Sequence, residues 1–382
     1  MAHSAKNDNV PGRDLQYIRA RAALSSLFVG DSLAMPVHWY YNPEDIQQAF
    51  PEGLWKLEAA PESHPGSIMS LHSTRRGGRS SSPQLNAQAS EIVGEVILKG
   101  RRHLWGQPNR HYHHGMKAGD NTLNAHYARV LIRTLIAASG CYNPDTFLED
   151  YIAFMTADPP LHNDTYAESF HRGFFANLTA GKPPLQCAAL THDTPSIGGL
   201  VAIGPLALHQ SLAGQDSPGL AATCRTHLLL THPDRRLGQI AEGYAALIDG
   251  LLHRPPQADP RALLVTAARE TLNLDLESLT RRARFDEEVV GGRYSTACYI
   301  TDSWPGVLYL AYKYCEDPKA ALLANANLGG DNAHRGAVLG LLVSLACGRT
   351  VEEWFAQLLD RQAISAEIDA LLATSEGNRA RE

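Results

Sequence analysis

Apolar residues along this chain recur with the period of an α-helix and almost nowhere with the period of a strand. Tyr17, Ala20, Leu24, Leu27 and Phe28 fall at i, i+3, i+7, i+10 and i+11, one stripe of a helix that the spacing ends near Gly30. Leu123, Tyr127, Val130 and Leu131 form a second stripe, in a helix expected to run to about Ala138 before Ser139-Gly140 stops it. The same reading places helices at roughly 145–156, 165–178, 199–211, 218–229, 235–252, 260–272, 305–315, 318–325, 333–347 and 351–373. The fold class is therefore all-α. No Pro/Ser/Gly linker splits the pattern, so one helical domain is expected over 15–373, between a polar tail at 1–14 and a solvated tail at 374–382. The exception to the pattern is a long irregular insertion around 51–117, where Gly, Ser, Pro, Arg and His concentrate; such a loop is a lid, a binding loop or disordered.

Composition narrows the class. The 382 residues carry 34 Lys+Arg against 40 Asp+Glu, a formal charge of −6, and no basic run; a nucleic-acid partner is not expected. The amino terminus lacks the apolar core of a secretory signal, and the longest apolar run, Ala337 to Cys347, is about half a bilayer span, so no membrane partner is expected. Six cysteines scattered singly read as reduced thiols of a cytoplasmic protein. The His-rich stretch 103–114 has no metal-binding spacing and its role stays open, as does the oligomeric state.

The most informative feature is a repeated head. Gly119-Asp120-Asn121 and Gly330-Asp331-Asn332 each precede an apolar periodic run. Asp and Asn cap helices by accepting from unpaired first-turn amides, which would explain either head alone. The second head also carries His334 and Arg335, on a helix apolar almost all round, and buried polar groups are costly unless they serve a site. Gly336 and Gly340, four apart, suggest that this central helix lies close against another backbone. His162-Asn163-Asp164-Thr165 is a further polar cluster, read as a cap or as part of a cleft, and Gly30-Asp31 with His38 is another, read as a turn or a site.

Taken in order, these segments resemble the ADP-ribosylglycohydrolases and their J1-crystallin relatives. Gly30-Asp31-Ser32-Leu33-Ala34-Met35-Pro36 is similar to an early Gly-Asp-x-Leu-Gly-x-Pro signature, and Gly119-Asp120-Asn121-Thr122 to a Thr/Ser-Asp-Asp-Thr metal motif. Gly198-Gly199 through Gly204-Pro205-Leu206 resembles an Asn-Gly-x-x-Met-Arg-x-x-Pro-Leu segment. Thr231-His232-Pro233-Asp234, Ser303-Trp304-Pro305 and Asn327-Leu328-Gly329-Gly330-Asp331 complete the order. The resemblance implies an all-α fold and hydrolysis at the anomeric carbon of an ADP-ribosyl, nucleoside-like or N-ribosyl group, a small-molecule ligand. It also implies a pair of magnesium ions held by carboxylates.

The departures bear on that last point. Asn121 and Ala333 replace the second carboxylates of the two Asp motifs, His38 stands for an early Glu, and Ala202 for the Arg. The carboxylates left, Asp120 and Asp331, would hold at most one Mg²⁺ or other divalent cation, or none. Catalysis is expected from Asp120, Asp331, His38 and His334, with substrate bound by Asn121, His162, Asn163, Asp164, Gly198, Gly199 and Asn332 around a cleft common to Asp120 and Asp331. Two alternatives stand beside this: a degenerate binding or structural protein, and a GDSL-type serine esterase using Ser32 with Asp331 and His334.

Overall fold

The computed structural model describes residues 12–70, 91–191 and 193–379. Residues 71–90 of the irregular insertion and the ends of both expected tails lie outside the described residues. Fifteen α-helices follow in chain order: α1 (Gly12–Ala34), α2 (Pro43–Ala49), α3 (Leu123–Ala137), α4 (Pro144–Met155), α5 (Ser169–Thr179), α6 (Ile203–Leu212), α7 (Ser217–Leu229), α8 (Arg235–His253), α9 (Arg261–Leu272), α10 (Leu276–Arg282), α11 (Ile300–Lys313), α12 (Pro318–Asn327), α13 (Asn332–Cys347), α14 (Glu352–Phe355) and α15 (Arg361–Arg379). Among the described residues there is no strand, only isolated bridges such as Ser196 with Tyr299.

The architecture grows from α13. Every side chain from Asn332 to Ala346 is buried, as a helix without a polar face requires, and Gly348 in the left-handed region (φ 70°) ends it. Its closest neighbour is α1. A Cβ on Gly336 would lie 2.6 Å from the Gly30 carbonyl oxygen, and one on Gly340 2.3 Å from that of Ser26, so glycine lets the two backbones touch. This contact also corrects the expected end of α1. Gly30 lies inside the helix, which continues to Ala34 because Gly30 packs rather than turns. Around this pair stand α12, α15, α3, α6, α8 and α11, all contributing to one apolar core.

The expected solvated tail from Thr374 is instead the end of α15. Thr374 Oγ1 lies 3.0 Å from His209 Nε2, and Ser375 is buried beside Tyr17, because the apolar stripe Ile364, Ile368, Leu371, Leu372 carries the helix onto the core. The expected helix 351–373 is two, α14 and α15, parted at residues 356–360. Helices α2 and α10 are additional to the sequence reading. No helix among the described residues is long and apolar enough to cross a membrane.

Candidate functional site

At the head of α13, Asp331 caps nothing: its carboxylate accepts from none of the first-turn amides. Its Oδ1 lies instead 2.8 Å from His38 Nε2 and 2.7 Å from His334 Nδ1. His38 sits just past the short 3-10 turn Met35–Val37 that leaves α1. Its other nitrogen, Nδ1, is 2.8 Å from His113 Nε2, and His113 Nδ1 is 2.8 Å from Asp164 Oδ1. On the opposite side His334 Nε2 faces Glu168 Oε1 at 3.3 Å, and that oxygen accepts from Asn124 Nδ2 at 2.7 Å. The result is an unbroken buried row: Asp164, His113, His38, Asp331, His334, Glu168. At its Glu168 end, 10% of the side chain remains exposed.

Burial sets the electrostatics of the row. It pushes His38 down to about 3, and Glu168 up to about 8. For Asp331 burial would raise the carboxyl, but His334 and then His38 hold it below the usual carboxylate range. Burial likewise opposes a charged His334, yet Asp331 and Glu168 outweigh it and raise that imidazole to about 10. Trp39 stacks on His38 at 3.7 Å between ring centres; its left-handed backbone (φ 63°) is held by an N–H bond of 2.7 Å to Gly330 O.

The other Gly-Asp-Asn head is arranged differently. Thr122, the residue before α3, has no side-chain cap of its own; its N–H and Oγ1 donate to Asp31, at 2.8 and 2.6 Å, and Leu123 N–H donates to Asp164 Oδ2 at 2.7 Å. Two carboxylates from elsewhere in the chain thus satisfy the amides at the positive end of α3. Asn121 Nδ2 donates to Asp31 Oδ1 and to Phe28 O, both at 2.8 Å. With those partners taken, Asp120 accepts from Lys117 N–H at 2.8 Å and Asn163 Nδ2 at 3.0 Å. It lines a recess of about 210 Å³ together with Asn121, His126, His162 and Asn163. Asp331, His38 and His334 do not line this recess, and among the described residues Asp120 and Asp331 share no hydrogen-bond partner.

Asp120, Asn121, His162 and Asn163 gather at the recess and Asp331, His38, His334 and Asp164 in the buried row, and Asp31 and Asp164 connect the two groups through Asn121, Thr122 and the Leu123 amide. Gly198 adjoins the row, since a Cβ there would lie 2.8 Å from Asn124 Nδ2 and 3.5 Å from His334 Nδ1. Gly199 packs against Leu228, His232 and Leu237, and Asn332 Nδ2 ties α13 to Ala326 O at 2.9 Å while its Oδ1 has no hydrogen-bond partner. His38 has both ring nitrogens engaged and no exposed surface, which leaves it positioning Asp331 rather than meeting a substrate. Ser32 lies buried within α1 with an unpartnered hydroxyl, far in kind from a nucleophile on a strand-to-helix turn; the esterase alternative fails on the fold.

Sequence reading missed His113 and Glu168. The His-x-His spacing of His111 and His113 carried a signal, for both point inward: His111 Nε2 reaches Pro36 O at 3.0 Å. Glu168 had none, being one acid inside the expected helix 165–178, which begins only at Ser169.

A pair of magnesium ions does not fit these residues. Mg²⁺ takes oxygen donors, yet Asp331 is flanked by two imidazoles, Ala333 offers no ligand, and both Asp31 oxygens are occupied by Asn121 and Thr122.

A family model described as ADP-ribosylglycohydrolase matches residues 13–381. A solved structure of an ADP-ribosylglycohydrolase-related protein complex is similar over 95% of this chain and 99% of that chain, with a TM-score of 0.57 and 19% identity, a likeness of fold. No curated protein matches the sequence.

Proposed function

The chain belongs to the ADP-ribosylglycohydrolase family, and on that premise we propose that it is a glycosidase hydrolysing the bond at the anomeric carbon of a ribosyl group. The observation that carries the reading is Glu168: of the acids in the buried row, it is the one whose side chain keeps the most exposure, 10% against 2% or less for Asp164 and Asp331, and His334 and Asn124 hold it in place. A carboxyl so held acts as general base and acid. In its ionised form, whose share grows as pH rises toward about 8, Glu168 takes a proton from a water molecule as the water oxygen bonds to the anomeric carbon. The bond to the leaving group breaks with its electron pair, and the proton then passes from Glu168 to that group. The anionic Asp331 behind His334 favours the positive charge that develops on the ribose ring.

A nucleoside-like or N-ribosyl conjugate is the favoured substrate over a complete ADP-ribosyl group. Ala202, in place of the Arg of the resembling segment, is buried and offers no charge to a diphosphate.

The test is a panel of nucleosides, N-ribosyl compounds and ADP-ribose conjugates assayed with the wild type and Glu168→Gln. Loss of general acid–base catalysis should lower kcat by about 100-fold or more with KM changed little. Turnover that survives Glu168→Gln would overturn the assignment of the base. A folded chain that binds ribosyl compounds and turns over none of them would leave a binding protein.

A further inference from the structure

The hydrogen-bond order along the buried row turns ligand atoms of three side chains toward one gap. The Asp164 carboxylate already accepts from Leu123 N–H and Tyr166 N–H, so His113 Nδ1 must carry the proton between them. His113 Nε2 is then an acceptor, and His38 Nδ1 donates to it. A neutral His38 is left with a lone pair on Nε2, aimed at Asp331 Oδ1 from 2.8 Å. At the other end Glu168 Oε1 faces His334 Nε2, so His334 turns Nδ1 to the same Asp331 oxygen at 2.7 Å, and the second proton that Asp331 and Glu168 favour on this ring lies between Nδ1 and that oxygen in the metal-free chain.

Two imidazole nitrogens and a carboxylate thus converge on one point. Asp331 Oδ2 has no hydrogen-bond partner although its side chain is buried. One ligand atom from each of His38, Asp331 and His334 lies within 4.8 Å of the others, and the two rings are perpendicular (89°), approaching one point from different sides.

We propose that His38 Nε2, Asp331 and His334 Nδ1 bind a single divalent cation of the nitrogen-preferring, zinc-like class, at the place where relatives' motifs carry further carboxylates. Imidazole is a ligand for such ions and a poor one for Mg²⁺. Each ligating ring has the outer partner that metal-bound histidines require: His38 donates through Nδ1 to His113, itself anchored on Asp164, and His334 donates through Nε2 to Glu168. Ligand atoms now 2.7–2.8 Å apart need to separate by only about half an ångström to surround an ion at about 2.0–2.2 Å. A proton can fill the gap in the metal-free chain; the metal displaces it.

This site does not depend on the reaction proposed above, because it is read by binding alone. The full chain, stripped with a chelator, is titrated with Co²⁺ and with Mg²⁺ while visible absorption and calorimetry are recorded. The expected result is one Co²⁺ per chain, a visible ligand-field band, and affinity at least about 100-fold above that for Mg²⁺. His38→Gln and His334→Gln should each weaken Co²⁺ binding by about 100-fold, and His113→Gln, one partner out, by about 10- to 100-fold. If these variants do not fold, pulsed EPR of the Cu²⁺-loaded wild type decides instead, through coupling to imidazole nitrogens. Binding of two Mg²⁺ in preference to Co²⁺, a Cu²⁺ signal without nitrogen coupling, or no stoichiometric binding would overturn the proposal. A bound ion with no turnover of any ribosyl compound would defeat only the proposed function.

Discussion

Two regions meet at the buried row, and they are built on opposite principles. The α1–α13 pair is regular, apolar and close: backbone meets backbone at Gly30 with Gly336 and at Ser26 with Gly340, and the Ser344 hydroxyl donates to Ser26 Oγ at 2.6 Å. The described parts of 51–117 have almost no helix, yet Leu54, Leu57, Ile92, Val93, Ile97 and Trp105 are buried, and His64, His111 and His113 are wired to the ends of α1's turn. His64 Nε2 reaches His38 O at 3.0 Å, beside His111 on Pro36 and His113 on the His38 ring. The helical pair supplies position to within the width of a Cβ. The irregular segment supplies direction, because a loop can present consecutive inward groups that a helix would spread over 100° steps. The site needs both: Asp331 and His334 from the pair, His113 from the segment.

If that contrast is right, the largest effect should come from adding volume between the helices. Gly336→Val places atoms against the Gly30 carbonyl and Asn325, and should cost about 3 kcal/mol or more in a denaturant titration, at the upper end of overpacking penalties. Gly115→Ala in the irregular segment, where nothing lies within 4 Å of a Cβ, should cost only about 1 kcal/mol from its positive φ. Equal costs would erase the distinction.

Acid sensitivity comes next. Burial pushes His227 down to about 3 and His209 to about 4 in the helical core. Unfolded, both titrate near 6.5, so below that pH the unfolded chain binds more protons than the folded one. Stability contributed by the neutral rings is complete above about pH 6.5 and falls by about 1.4 kcal/mol per pH unit for each histidine as pH drops toward the folded values. Unfolding curves between pH 7 and 5 should flatten in His227→Gln. An unchanged slope would move the acid-labile element out of α7.

Within the irregular segment, His64→Ala removes the partner of both His38 O and Gly66 N–H, and should cost about 1–3 kcal/mol. Amide exchange that quickens around His64 but not in α13 would support separate roles for the two regions. The smallest effect is expected at the recess: Asp120→Asn keeps an oxygen for Lys117 N–H and should change stability by about 1 kcal/mol or less. Kinetics of this variant sharpen the comparison, since turnover near wild type is expected if the chemistry lies at the buried row, and loss of turnover would return Asp120 to it.

Read alone, the sequence settled what local periodicity and short-range order can settle. The stripes from Tyr17 to Phe28 and from Leu123 to Leu131 gave real helices, and the ordered motifs pointed to the family that the comparison then matched along the chain. Gly336 and Gly340 announced a close helix contact, because a missing side chain every fourth residue has one face to serve. The folded chain alone decided which polar groups meet. Two identical Gly-Asp-Asn heads carry the same letters, but Asp331 turns to His38 and His334 while Asp120 turns to Lys117 and Asn163. The difference comes from residues distant in sequence: Asp31 and Asp164 occupy the amides at the start of α3, and among the described residues no carboxylate does this for α13. Glu168 and His113 stayed hidden for the same reason, since a side chain's partner is fixed by packing across the core and leaves no periodic trace along the chain.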